Sequence, residues 1–181
     1  YKHFVSKDVI LARLGNDFSY LVLEKIQQID PNKPCEKQMR EMFEICFRGH
    51  IEFPLMGEIC QVYQQPSFME RLPQACQKTC MNIENRYLEI LTRIIELGKR
   101  NNELPDMPVD ELILGSYATY CGALQMLQIQ HRRCFTDAPQ LPQERFIEII
   151  INYTMAGLFG RRFDVSNSEN GESNEYVNYD S

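Results

Sequence analysis

The sequence has no run of about 18 apolar residues, the length that reads as a membrane-crossing helix. No segment alternates strictly between apolar and polar residues between hairpin turns, so no strands are expected. Histidine is scarce, with three in 181 residues, and none stands near a Ser or Cys in a nucleophile motif. Gly-x-Ser-x-Gly, phosphate-loop and dinucleotide fingerprints are all missing. The chain is therefore not expected to be an enzyme, and no cofactor is implied. Seven Cys make an odd count without a regular framework, which fits free thiols in a reducing, cytoplasmic setting. Lys and Arg are absent from Asp164 to Ser181, where five acids account for all but one of the net charge of −6. The body is thus nearly neutral, which argues against a basic nucleic-acid surface on it. The Ser-, Asn-, Glu- and Gly-rich residues 164–181 read as a disordered acidic tail.

What is present is helical. Leu11, Leu14, Phe18, Leu21, Val22 and Ile26 recur at three- and four-residue steps, which predicts a helix from Lys7 to about Gln28. Ser6 can cap it and Asp8 complements its dipole. Pro31 and Pro34 end it. Met39, Met42, Phe43, Cys46 and Phe47 mark a second helix from Cys35 to about His50, and Pro54 starts a short third one ending near Tyr63. Pro66 and Pro73 punctuate a turn. Cys76, Cys80, Ile83, Tyr87, Ile90 or Leu91, and Ile94 then keep a stripe over the longest helix, closed at Asn101–Pro105. A fifth helix runs from Val109 to about His131, and a loop to Leu141 follows. Pro142 opens the sixth, with Phe146, Ile149, Ile150, Tyr153, Leu158 and Phe159 on its apolar face. Six helices with short proline-marked joints predict an all-α bundle.

Three constellations could carry function. Cys46 with His50, and Cys76 with Cys80, are spaced one helical turn apart. Such pairs could serve a zinc site or a redox sensor, or could simply be small buried hydrophobes; no metal site is assigned to them. Gly115, Ala118, Thr119, Gly122 and Ala123 form a small-residue strip, and Ala156, Gly157 and Gly160 supply another on the last helix. The strips permit close helix approach, either within the chain or to a second copy. Aromatics and Met are plentiful, with 10 Phe, 9 Tyr and 8 Met. Phe43, Phe47, Met56, Tyr63, Tyr87, Tyr117, Tyr120 and Leu124 come from four helices and are the candidate lining of an apolar pocket, or plain core. No basic residue falls among them, which disfavours a strongly anionic ligand and suits a neutral or cationic one.

The opening residues, Tyr1-Lys2-His3-Phe4-Val5-Ser6-Lys7-Asp8, add a resemblance. A Tyr-x-His-Phe segment followed by Ser-Lys-acid resembles the junction between the recognition helix and the long fourth helix in the tetracycline-repressor (TetR) family of bacterial regulators. The helix count and order resemble the fourth to ninth helices of that family. The resemblance implies three segments. Residues 1–6 would be the end of a helix-turn-helix domain whose larger part precedes Tyr1. Residues 7–163 would form an effector-binding and dimerisation domain, and residues 164–181 the tail. It implies operator DNA as partner, with Tyr1, Lys2, His3 and Lys7 on phosphates, and a small, largely hydrophobic effector that alters operator binding, in a repressor. It also implies a homodimer through the last two helices, with Gly115, Ala118, Thr119, Gly122, Ile150, Tyr153 and Gly157 at the interface. The alternative is a stand-alone helical ligand carrier or adaptor.

Overall fold

The computed structural model describes residues 6–63, 65–131 and 141–160, with the side chains of 128–131 left aside. Among these residues the chain is all-α. The helices are α1 (Lys7–Gln27), α2 (Cys35–Glu52), α3 (Pro54–Tyr63), α4 (Pro66–Met69), α5 (Gln74–Arg100), α6 (Val109–His131) and α7 (Gln143–Leu158). Six of them fall where the periodicity puts them. The seventh, α4, occupies the stretch read as a turn. Its four residues are too few to show a repeat, and Pro66 starts it because its locked φ suits a first helical turn.

The ends are set by local chemistry. Ser6 accepts a hydrogen bond from the Val9 N–H at 3.3 Å, the expected cap of α1. Asp8 sits in the first turn and also meets Arg71 at 3.2 Å, an exposed pair worth little energy. Asn102 closes α5 with φ at 55°, a left-handed conformation Asn tolerates. The Asn102 N–H donates to Lys99 O and the Glu103 N–H to Gly98 O, the double bond pattern that satisfies the last carbonyls.

The core is one cluster drawn from every helix, with Ile26, Cys35, Met39 and Ile95 fully buried. The buried face of α1 takes in Phe18, Val22 and Ile26, as the periodicity expects, together with small residues it did not single out. Leu14 and Leu21 stay exposed, while Ala12, Gly15, Asn16, Ser19 and Val22 face inward. The reason is α3. The Tyr63 ring lies so close to α1 that a Cβ at Gly15 would fall 2.0 Å from its Cε1. Only a small residue admits that approach. Helix α5 packs on α1 and α2, and α6 and α7 complete the bundle, α6 against α5 and α7 against α2.

Candidate functional site

Two hydrogen-bonded groups of polar side chains, holding three tyrosines between them, sit inside this bundle. The stripe Met39–Phe43–Phe47–His50 on α2 turns its last members toward α6. There the Phe47 ring meets Tyr120 at 5.2 Å, and the Tyr120 Oη lies 3.1 Å from His50 Nε2. The His50 ring stands edge-on to Phe18 at 5.3 Å. Behind it, Gly57 of α3 leaves no room for a side chain, since a Cβ there would fall 2.2 Å from Nδ1. Burial pushes the His50 pKa down to about 4, so the ring is neutral near pH 7. Burial also pushes the neighbouring Cys46 thiol up to about 12, despite a hydrogen bond with the Tyr120 hydroxyl.

The second group centres on Ser19. Its Oγ lies 3.1 Å from the Tyr63 hydroxyl and 3.4 Å from the Cys60 Sγ, and its carbonyl accepts from the Tyr87 hydroxyl at 2.7 Å. One α1 residue thereby binds α3 and α5 together. Next to it the Cys80 thiol donates to Asn16 Oδ1 at 3.4 Å. Burial raises the pKa of Tyr63, Tyr87, Tyr120, Cys60 and Cys80. The thiols are therefore held protonated, the less nucleophilic form. Among the described residues no three His, Cys, Asp or Glu side chains group in a way that could hold a metal ion. Nor is any described helix long and apolar enough to cross a membrane.

Of the expected pocket residues, Phe43, Phe47, Tyr63 and Leu124 are buried, Met56, Tyr87 and Tyr120 are half-buried, and Tyr117 is 50% exposed at the outer side of α6 beside Cys121. They are close-packed rather than spread around a large void. Beside Leu124 a crevice of about 20 Å³ opens between α2, α3, α6 and the start of α7. His50, Glu58, Gln61 and Gln143 supply its polar atoms, and Pro54 and Leu127 join Leu124 as its apolar wall. A drug-sized site takes about 300–1,000 Å³, so a bulky ligand requires the helices to part. His50 belongs to the stripe visible in the sequence, four residues after Cys46, and its place facing α6 was open to the same periodicity. Glu58, Gln61 and Gln143 gave no signal, because their meeting depends on how α3 and α7 converge.

The small-residue strip of α6 faces outward. Gly115, Ala118 and Gly122 are exposed, and nothing lies within 4 Å of a Cβ built at Gly115, Gly122 or Gly157. Ala123, the last member of the strip, is instead buried in the core, so the strip packs within the chain at that position and stands open at its glycines among the described residues. Thr119 is half-buried and donates to the Gly115 carbonyl at 2.9 Å. On α7, Tyr153 is 62% exposed, Gly157 exposed and Ile150 half-buried. Lys7 is exposed at the first position of α1; Tyr1, Lys2 and His3 lie outside the described residues, as do residues 161–163 of the expected helical domain and the expected tail, 164–181. No family model, curated protein or solved structure matches this chain.

Proposed function

We propose that this chain is the effector-binding and dimerising part of a ligand-responsive transcriptional regulator of the TetR type, acting in the cytoplasm as a repressor. The observation that carries the reading is the small-residue face on α6 and α7, turned to solvent and with its glycines covered by nothing among the described residues. A two-fold partner laying its own α6 and α7 there would cover Gly115, Ala118, Gly122, Tyr153 and Gly157. The core behind that face supports a ligand role. Tyr63, Tyr87, Tyr120 and His50 place hydroxyls and a neutral imidazole among apolar side chains. Helix α1, capped by Ser6 directly after the Tyr-x-His-Phe segment, is the lever such a regulator needs between ligand and DNA. A ligand that prefers one spacing of the two levers shifts the population toward it.

Two measurements test this. In analytical ultracentrifugation the chain is expected to sediment as a dimer at micromolar concentration, and Gly122→Leu to shift it toward monomer. A wild-type monomer ends the dimer assignment. In the protein carrying a helix-turn-helix before Tyr1, Lys7→Ala is expected to weaken binding to all DNA sequences alike. It should lower the slope of log affinity against log salt by about 1. An unchanged slope removes Lys7 from the phosphate contacts. If the codons before Tyr1 encode no helix-turn-helix, the helical ligand-carrier or adaptor reading takes over.

A further inference from the structure

The polar side chains around Ser19 satisfy one another. Its Oγ meets the Tyr63 hydroxyl at 3.1 Å and the Cys60 thiol at 3.4 Å, and Cys60 and Tyr63 also bond to each other. The Tyr87 hydroxyl donates to the Ser19 carbonyl at 2.7 Å. Three residues earlier on α1 the matching stops. Asn16 is 7% exposed, and its Oδ1 accepts from the Cys80 thiol at 3.4 Å. Its amide nitrogen, with two protons to donate, has no acceptor among the described residues. Cys80 fixes which way the amide points. Burial and the Glu84 carboxylate both hold that thiol protonated, so its S–H needs an acceptor. Turning the amide over leaves the S–H and the Oδ1 both unpaired. Buried N–H groups without a partner are rare, because burial strips away the water they bond in the unfolded chain.

We infer that Asn16 carries a buried binding site for one neutral acceptor oxygen, supplied by a water molecule or by the carbonyl of the effector. Only the second source rests on the reading of this domain as a small-molecule binder. Three properties choose this class. The unpaired group is an N–H donor, and an ammonium or guanidinium, itself only a donor, cannot answer it. A carboxylate or phosphate brings negative charge to a place where burial and Glu84 already oppose a thiolate on Cys80. An apolar group leaves the donor as it was. A neutral oxygen accepts from the amide without a charge to bury. A water can in turn donate to spare lone pairs nearby, since the Tyr63 phenol lies close enough to Cys80 for their charges to interact. The position is also one where an occupant is felt. Asn16 follows Gly15, against which the Tyr63 ring rests, and precedes Ser19, so the site adjoins the joint of α1 with α3 and α5.

The experiment uses the 181-residue chain with isotope-labelled asparagine, followed by nuclear magnetic resonance. The side-chain amide pair that vanishes in Asn16→Leu belongs to Asn16, and correlation from its own backbone assigns the pair if that variant does not fold. In the ligand-free protein these two protons are expected to receive magnetisation through space from water, which rotating-frame spectra separate by sign from proton exchange. Two probes then share one body: 4-phenyl-2-butanone, which carries a carbonyl, and n-butylbenzene, which carries no oxygen. The ketone is expected to move the Asn16 amide signals and end the transfer from water, and the hydrocarbon to do neither. Transfer from water that survives the ketone assigns the oxygen to water alone. Movement with the ketone only, with or without prior transfer from water, assigns it to a ligand carbonyl. Absence of both overturns the inference, as does an equal response to ketone and hydrocarbon in a protein that shows no transfer from water. None of these results touches the regulator reading itself, which the dimer and DNA measurements decide separately.

Discussion

Gly15→Ala is expected to destabilise the fold by about 1–3 kcal/mol. The added Cβ would meet the Tyr63 ring at 2.0 Å, and Tyr63 is only 2% exposed, with little room to retreat. Overpacking of a filled core costs about 1–3 kcal/mol, and a displaced ring also gives up the Tyr63–Ser19 hydrogen bond, worth about 1 kcal/mol. Against this, Ala in place of Gly in a helix gains about 1 kcal/mol. For a chain of this length the net loss lowers the melting temperature by roughly 2–12 °C. Gly122→Ala supplies the contrast. Among the described residues nothing stands within 4 Å of its Cβ, so only the helix gain remains in the isolated subunit. Urea titrations of the two variants, at concentrations low enough to keep the chain monomeric, should therefore move in opposite directions. A double-mutant cycle with Tyr63→Ala identifies the cause, because Gly15→Ala should become nearly neutral once the ring is gone. If Gly15→Ala costs the same in both backgrounds, the close approach of α1 and α3 is not what makes it harmful.

Acidification is expected to remove about 3 kcal/mol of stability through His50 alone. Its pKa is about 4 in the fold, against 6.5 for an unperturbed imidazole. The fold therefore prefers the neutral ring, and the unfolded chain binds the extra proton. This contribution is complete above about pH 6.5, declines as pH falls through that value, and is exhausted near pH 4. A difference of this size in pKa corresponds to about 3 kcal/mol. Glu84 works in the opposite sense, because burial raises its pKa and acid relieves the cost of its charge. The informative quantity is thus the difference between wild type and His50→Gln, which keeps a polar partner for Tyr120. That difference should change steadily between pH 6.5 and pH 4 and be flat above. A difference independent of pH across this window means that His50 is not held neutral by its surroundings.

The fold was largely legible, and so were the limits of reading it. Pro54 and Pro142 were read as helix starts and are, by rigid local chemistry that needs no knowledge of the rest of the chain, whereas Pro66, read as part of a turn, starts α4. The long stripe of α5 appears in the structure as it does in the sequence, with Cys80, Ile83, Leu91 and Ile94 buried. On α1 Phe18, Val22 and Ile26 are buried as expected, and two of the large residues misled. Leu14 and Leu21 look like core by size, yet the neighbour at the interface is Tyr63, whose ring selects Gly15 and Ser19 instead. Which side of α6 faces outward could not be read either. Its residues are apolar nearly all round, from Leu114 at 68% exposure to buried Leu124, so periodicity leaves the orientation open. The crevice was invisible for a related reason. It is a gap between four elements, and Glu58, Gln61 and Gln143 are ordinary helix-surface residues until those elements meet.

The chain contains no tryptophan, so its intrinsic ultraviolet emission and near-ultraviolet dichroism are those of tyrosine. Tyr63, Tyr87 and Tyr120 are the fluorophores packed in the core, and each hydroxyl is tied to a named partner. The protein thus carries a built-in optical reporter at the junction of α1, α2, α3, α5 and α6, with no label to introduce. Burial holds these phenols protonated beyond the ordinary tyrosine range. Tyrosinate absorbance from them in alkali therefore signals that the bundle has opened, so one cuvette reads both the ionisation of the cluster and the loss of the fold.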